Sequence, residues 1–83
     1  MRIHFELYAS LMRYLPAQAD RHRVTVEVPA EVTPHQLLER FGIPRDEARL
    51  VVLNGVFVPP SARDSARLRE GDVLAVWPPV AGG

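Results

Sequence analysis

Leu50-Val51-Val52-Leu53-Asn54-Gly55-Val56-Phe57-Val58 is the stretch whose reading decides the fold. Its first four residues are all apolar, the run expected of a central strand with both faces covered rather than of a half-wet strand, which alternates. Asn54-Gly55 is the strongest short hairpin signal in the chain, because a two-residue type I′ turn needs positive φ at both central positions. Val56-Phe57-Val58 returns as the second arm, and Pro59-Pro60 ends it, since proline has no N–H for a ladder.

Outward from this hairpin the chain supplies more strands than helices. Upstream, Arg2 to Tyr8 alternates, with Ile3, Phe5 and Leu7 on one side and Arg2, His4, Glu6 and Tyr8 on the other, the period of a strand with one buried face. Ala9 to Leu15 reads as a helical turn or an irregular crossing that stops before Pro16. Val24, Val26 and Val28 alternate again, so the first two strands form a hairpin with a wide loop. Thr33-Pro34-His35-Gln36 is a helix start, with threonine at the N-cap, proline at the first helical position and glutamine placed to close a capping box. Leu37, Leu38 and Phe41 give that helix an apolar stripe, and Gly42 with Pro44 ends it after about two turns. Downstream of the central hairpin, Ser61 to Leu68 is polar and irregular, Glu70-Gly71-Asp72 is a turn, and Val73 to Trp77 is the last strand. The pattern predicts an α+β domain, a mixed sheet of four to five strands with one main helix packed on one face, and places the last strand centrally beside the first.

Composition narrows the chemistry. Eighty-three residues with 47% apolar side chains make one small core, and a deep catalytic cavity would compete with it, so reactivity is expected on a tail or a surface. There is no cysteine, which removes disulfides and thiolate chemistry. All ten basic residues are arginines, which excludes lysine catalysis and isopeptide links to this chain's own side chains. Net charge is zero with no basic block, which argues against nucleic acid as a partner. No apolar run approaches the roughly 18 residues of a membrane span, and a strand starting at residue 2 leaves no room for a signal peptide, so a cytoplasmic protein is expected.

After Trp77 come Pro78-Pro79-Val80-Ala81-Gly82-Gly83. The reading is a folded body over residues 1–77 and a flexible tail over 78–83. Two glycines place the Gly83 carboxylate on an unbranched tether that enters sites where any Cβ would collide. Pro78 and Pro79 stiffen the exit, so less chain entropy is lost on insertion. Strand parity puts Tyr8, Phe57 and Trp77 on the sheet face away from the helix, and three aromatics on one exposed face mark a protein interface. His4, His22 and His35 are too scattered for a metal site, so no metal is expected. Asp64 with Ser61 and Ser65 has no histidine near in sequence and no nucleophile elbow.

The hairpin Val52-Leu53-Asn54-Gly55, the closing Leu68-Arg69-Glu70-Gly71-Asp72 and the run Val76-Trp77-Pro78-Pro79-Val80-Ala81-Gly82-Gly83 resemble, over the whole chain, the small sulfur-carrier proteins of the ubiquitin-like β-grasp fold. Two groups share these features, the small subunit of molybdopterin synthase and the thiamine-biosynthesis sulfur carrier, and Pro-Pro-Val-Ala-Gly-Gly is similar to the first. Met12 stands where that family often has a basic residue. The resemblance implies a protein with no catalytic residues and no bound cofactor of its own. A partner resembling ubiquitin-activating enzymes would adenylate Gly83 with ATP and magnesium, and a persulfide donor would convert it to a thiocarboxylate. The tail of Pro78, Pro79, Val80, Ala81 and Gly82 would enter partner active sites, among them that of the larger molybdopterin synthase subunit. Tyr8, Phe57 and Trp77 would dock those partners. A thiamine carrier, a ubiquitin-like protein modifier and a pure interaction module are the other readings the residues allow.

Overall fold

A computed structural model describes residues 1–80 of the chain. Five strands and one α-helix form it: β1 (Arg2–Leu7), β2 (Arg23–Glu27), α1 (Pro34–Arg40), β3 (Leu50–Leu53), β4 (Val56–Phe57) and β5 (Val73–Trp77), with short 3-10 turns at Ala9–Tyr14, Arg45–Glu47 and Pro60–Ala62. The sheet order is β2-β1-β5-β3-β4. The β1 and β5 strands are parallel, His4 opposite Val73 and Leu7 opposite Val76, and every other neighbouring pair is antiparallel. The last strand therefore lies at the centre, paired on both sides, as the sequence pattern requires.

Alternation decides which face is buried. Ile3, Phe5 and Leu7 of β1 and Leu74 and Val76 of β5 are fully covered and meet Leu37 and Leu38 of α1. Phe5 and Phe41 bring their rings to 4.8 Å between centroids. A fully buried phenylalanine or leucine contributes about 1.5–3 kcal/mol, so this layer of contacts between helix and sheet is a large stabilising term. The helix starts where its capping residues dictate. Thr33 Oγ1 accepts from the Gln36 amide at 3.2 Å while Gln36 Oε1 accepts from the Thr33 amide at 2.9 Å, a complete capping box with Pro34 just inside it. Gly42, at φ 73, ends it. At the Asn54-Gly55 turn both residues take positive φ, 49° and 84°, which is the type I′ geometry.

Three details depart from the sequence pattern. The first strand ends at Leu7, and Tyr8, still extended and donating its amide to Val76 O at 3.1 Å, precedes the reversal at Ala9. Leu50 is 38% exposed rather than covered, because the one helix shields only one face of the sheet and Leu50 stands on the other. The Ser61 to Leu68 segment is not merely a polar loop. Arg63 within it is 3% exposed and donates from Nε to Val58 O at 2.9 Å, from Nη1 to Ala48 O at 2.8 Å and from Nη2 to Arg49 O at 3.2 Å. Burial pushes its pKa down from the ordinary arginine value. One planar fork thus satisfies carbonyls that two segments would otherwise bury unpaired.

Candidate functional site

The face of the sheet opposite α1 is open, and the register places its side chains. Leu50 lies across from Trp77, Val52 from Ala75 on one side and from Phe57 on the other, and Ala75 from Glu6 of β1. Tyr8, Trp77 and Phe57 therefore do share one face. They do not form one cluster. The rings of Tyr8 and Trp77 stack at 4.3 Å between centroids and 2° between planes, whereas Phe57 stands apart beyond β3, 51% exposed. Leu50 connects the two, an apolar residue of this surface that the run of four apolar residues had concealed. A second signal was available: its parity matches that of Phe57 and Trp77 once the hairpin register is known.

Tyr8 is held on several sides. Its hydroxyl donates to Glu6 Oε1 at 2.9 Å, Glu6 Oε2 accepts from Arg23 Nη1 at 3.3 Å, and the His22 ring lies 4.7 Å from the Tyr8 ring. Burial and then the bond to Glu6 raise the Tyr8 pKa above its ordinary 10.0.

Trp77 is the last residue of the ladder, its carbonyl accepting from the Arg49 amide at 3.0 Å. Pro78, Pro79 and Val80 then leave the sheet, with Val80 77% exposed. A groove of about 510 Å³ runs beside this exit, lined by Ala9, Ser10, Arg49, Leu50 and the segment from Trp77 to Val80. Apolar walls with one arginine at the rim suit a protein surface more than a small polar substrate. Ala81, Gly82 and Gly83 lie outside the described residues.

The remaining polar candidates fall elsewhere. His35, in the first turn of α1, is buried and its Nδ1 bonds to Asp64 Oδ1 at 2.8 Å, so the fold supplies the histidine near Asp64 that sequence distance hid. Arg45 Nη2 adds a contact to the same oxygen at 3.4 Å. Together these hold the Asp64 carboxyl below its ordinary 3.8, the bond from His35 being the larger cause. Ser65 Oγ donates to Ala62 O, so its hydroxyl is committed to the backbone and the group makes no hydrolytic triad. His4 Nδ1 meets Thr25 Oγ1, and among the described residues no three metal-ligating side chains converge. Among the described residues no helix is long and apolar enough to cross a membrane.

A mixed sheet gripping one helix, with its central last strand running out through paired prolines, defines the ubiquitin-like β-grasp class. A family model described as Mut7-C ubiquitin matches residues 1–82. The molybdopterin synthase sulfur carrier subunit of Drosophila melanogaster is 35% identical over 69 residues, which cover 78% of this chain and 77% of that protein. Among solved structures, SAMP1 from Haloferax volcanii superposes with a TM-score of 0.67 at 21% identity, covering 100% of both chains. The thiamine biosynthesis protein ThiS from Geobacter metallireducens gives 0.67 at 19%, again covering 100% of both. A complex of subunits 1 and 2 of the molybdopterin-converting factor from Helicobacter pylori contains a chain that gives 0.58 at 15%, with 100% of both covered. The chain belongs to the Mut7-C ubiquitin family and, with the Drosophila subunit, to the small sulfur-carrier proteins, which are carriers and not enzymes.

Proposed function

We propose that this chain carries sulfur for molybdopterin synthesis, as the small partner of a two-subunit synthase, with the Gly83 carboxylate as the reacting group. The observation that carries the reading is the placement of β5. The central strand, paired on both sides, runs directly into Pro78, Pro79 and Val80, and Ala81-Gly82-Gly83 follow in the sequence. The 35% identity to a curated carrier subunit supports it.

The chemistry follows from the poor leaving group of a carboxylate. A Gly83 oxygen attacks the α-phosphorus of ATP, held with magnesium by an adenylating partner of the ubiquitin-activating type, and pyrophosphate leaves. The terminal sulfur of a persulfide donor then attacks the mixed anhydride and expels AMP, leaving an acyl disulfide. A thiol cleaves that disulfide and frees the thiocarboxylate. Residues 1–77 serve as the body and 78–83 as the tail, whose Pro78, Pro79, Val80, Ala81 and Gly82 line the partner's channel during each step. The open face bearing Tyr8, Phe57 and Trp77 docks the adenylating partner and the larger synthase subunit. The chain itself binds no cofactor and works in the cytoplasm.

The test is an intact-mass measurement after incubation with ATP, magnesium, the adenylating partner and a persulfide donor. The expected product is heavier by the difference between sulfur and oxygen, and deletion of Gly83 abolishes it. An unchanged mass, or sulfur transfer by the Gly83-deleted chain, overturns the proposal. Adducts with other proteins would replace it with the modifier reading, and delivery of the sulfur to a thiazole precursor with the thiamine reading.

A further inference from the structure

The stack of Tyr8 on Trp77 does something a docking patch does not require. The β1 strand lies between β2 and β5, so the Tyr8 ring stands between His22 on one side, at 4.7 Å, and Trp77 on the other, at 4.3 Å. Both of its faces are occupied from within the chain. Its hydroxyl is occupied as well, by Glu6, which Arg23 holds in turn. A ring so committed has only an edge left to offer a partner.

The backbone tells the same story. Ala9, immediately after Tyr8, sits at φ 52, a region that costs a residue with a Cβ about 1 kcal/mol or more and persists only where neighbouring contacts determine it. Tyr8 is extended at φ −116 and ψ 158, and its amide bonds to Val76 O at 3.1 Å. The chain thus reverses sharply at Ala9 and still keeps the phenol ring flat against the last ladder residue. Beyond Trp77 two prolines restrict φ, so the orientation of Trp77 is passed on to Val80 with little freedom to lose it.

We infer that Tyr8 is a positioning residue, which with Glu6, Arg23 and His22 clamps the Trp77 ring and thereby sets the direction in which the segment from Pro78 leaves the sheet. This rests on the proposed carrier function and adds a division of labour to it. Phe57 and Leu50 contribute area to a partner, while Tyr8 sets the aim. A reacting carboxylate several residues away benefits because misplacement of about 1 Å is enough to cost a hundredfold in rate.

Two measurements test it, and the first needs this chain alone. Nitrogen-15 relaxation on Tyr8→Ala reads the Trp77 indole N–H and the Val80 amide, the first amide past the prolines. Both order parameters are expected to fall from near 0.85 toward about 0.6 or below, with Tyr8→Phe, which keeps the stacked ring but loses the bond to Glu6, falling part of the way and Phe57→Ala leaving them unchanged. Tyr8→Leu, apolar and of similar bulk but not planar, gives the same loss as alanine and serves should the alanine variant not fold. Unchanged order parameters in a folded Tyr8→Ala or Tyr8→Leu overturn the inference. The second measurement is pyrophosphate release by the adenylating partner with the chain as substrate. For Tyr8→Leu a positioning role lowers kcat by about tenfold or more, whereas a role in docking alone raises KM at unchanged kcat and overturns the inference. Deleting Gly83 separates the two levels. If that deletion leaves sulfur transfer intact, the carrier reading itself fails; if it abolishes transfer while Tyr8→Leu behaves as wild type, only the positioning role falls.

Discussion

His35 Nδ1 and Asp64 Oδ1 stand 2.8 Å apart and tie the first turn of α1 to the segment after Pro60–Ala62, 29 positions away. Facing a carboxylate, Nδ1 is the donor, and Arg45 adds positive charge beside the same oxygen. Both stabilise the ionised carboxyl, so its pKa lies lower in the folded chain than in the unfolded one. The contribution is therefore complete above the ordinary value of 3.8 and is lost as pH falls through the lower, folded value. Calorimetry of wild type and Asp64→Ala across acid pH is expected to show a Tm gap that is present above the ordinary carboxylate value of 3.8 and closes as the pH falls below it. A gap that widens with acid would contradict this assignment.

Arg63 is the second tie. Removing its guanidinium strands the buried carbonyls of Ala48 and Val58 and the part-buried one of Arg49. Arg63→Ala is expected to cost about 2–4 kcal/mol in urea unfolding, and Arg63→Lys most of that, because an ammonium cannot span the three acceptors of a planar fork. Equal stability of the lysine variant and wild type would show that charge alone suffices.

Phe57 makes the opposite case. It is 51% exposed on the two-residue strand β4, so its ring adds little to the core. Phe57→Asp is expected to change unfolding stability by less than about 0.5 kcal/mol while weakening association with the synthase subunit proposed as its partner at least tenfold in titration calorimetry. Retained affinity would move the docking surface elsewhere.

Asn54 joins two turns. Its Nδ2 donates to Asp72 Oδ1 at 2.9 Å, and its Oδ1 accepts from the Val73 amide at 2.8 Å. Asn54→Asp replaces a donor with a carboxylate opposite a carboxylate. A loss of about 1–2 kcal/mol at pH 7 is expected, shrinking as the pair is titrated with acid, and thermal melts across pH measure it.

What the amino-acid order revealed was whatever is local. Alternation through Ile3, Phe5 and Leu7, the capping box of Thr33 and Gln36 and the Asn54-Gly55 turn all act within a few residues, and each element stands where those signals put it. Arg63 was invisible because its acceptors lie five to fifteen positions away and carbonyls carry no side-chain signature. The His35–Asp64 bond was hidden for the same reason. Leu50 misled because an apolar run reads alike on a strand covered on both faces and on one whose second face is open. The open face was legible by parity in Tyr8, Phe57 and Trp77, yet the stacking of two of them and the isolation of the third depend on which strands are neighbours.

The position of β5 has a mechanical consequence. A pull on the chain beyond Trp77 runs along the axis of a strand bonded to β1 on one side and to β3 on the other. Tension in that direction loads both ladders in shear, so their hydrogen bonds must fail together and not one after another as in peeling. Such force would be borne by both neighbouring strands, and the body would resist being unravelled from this side.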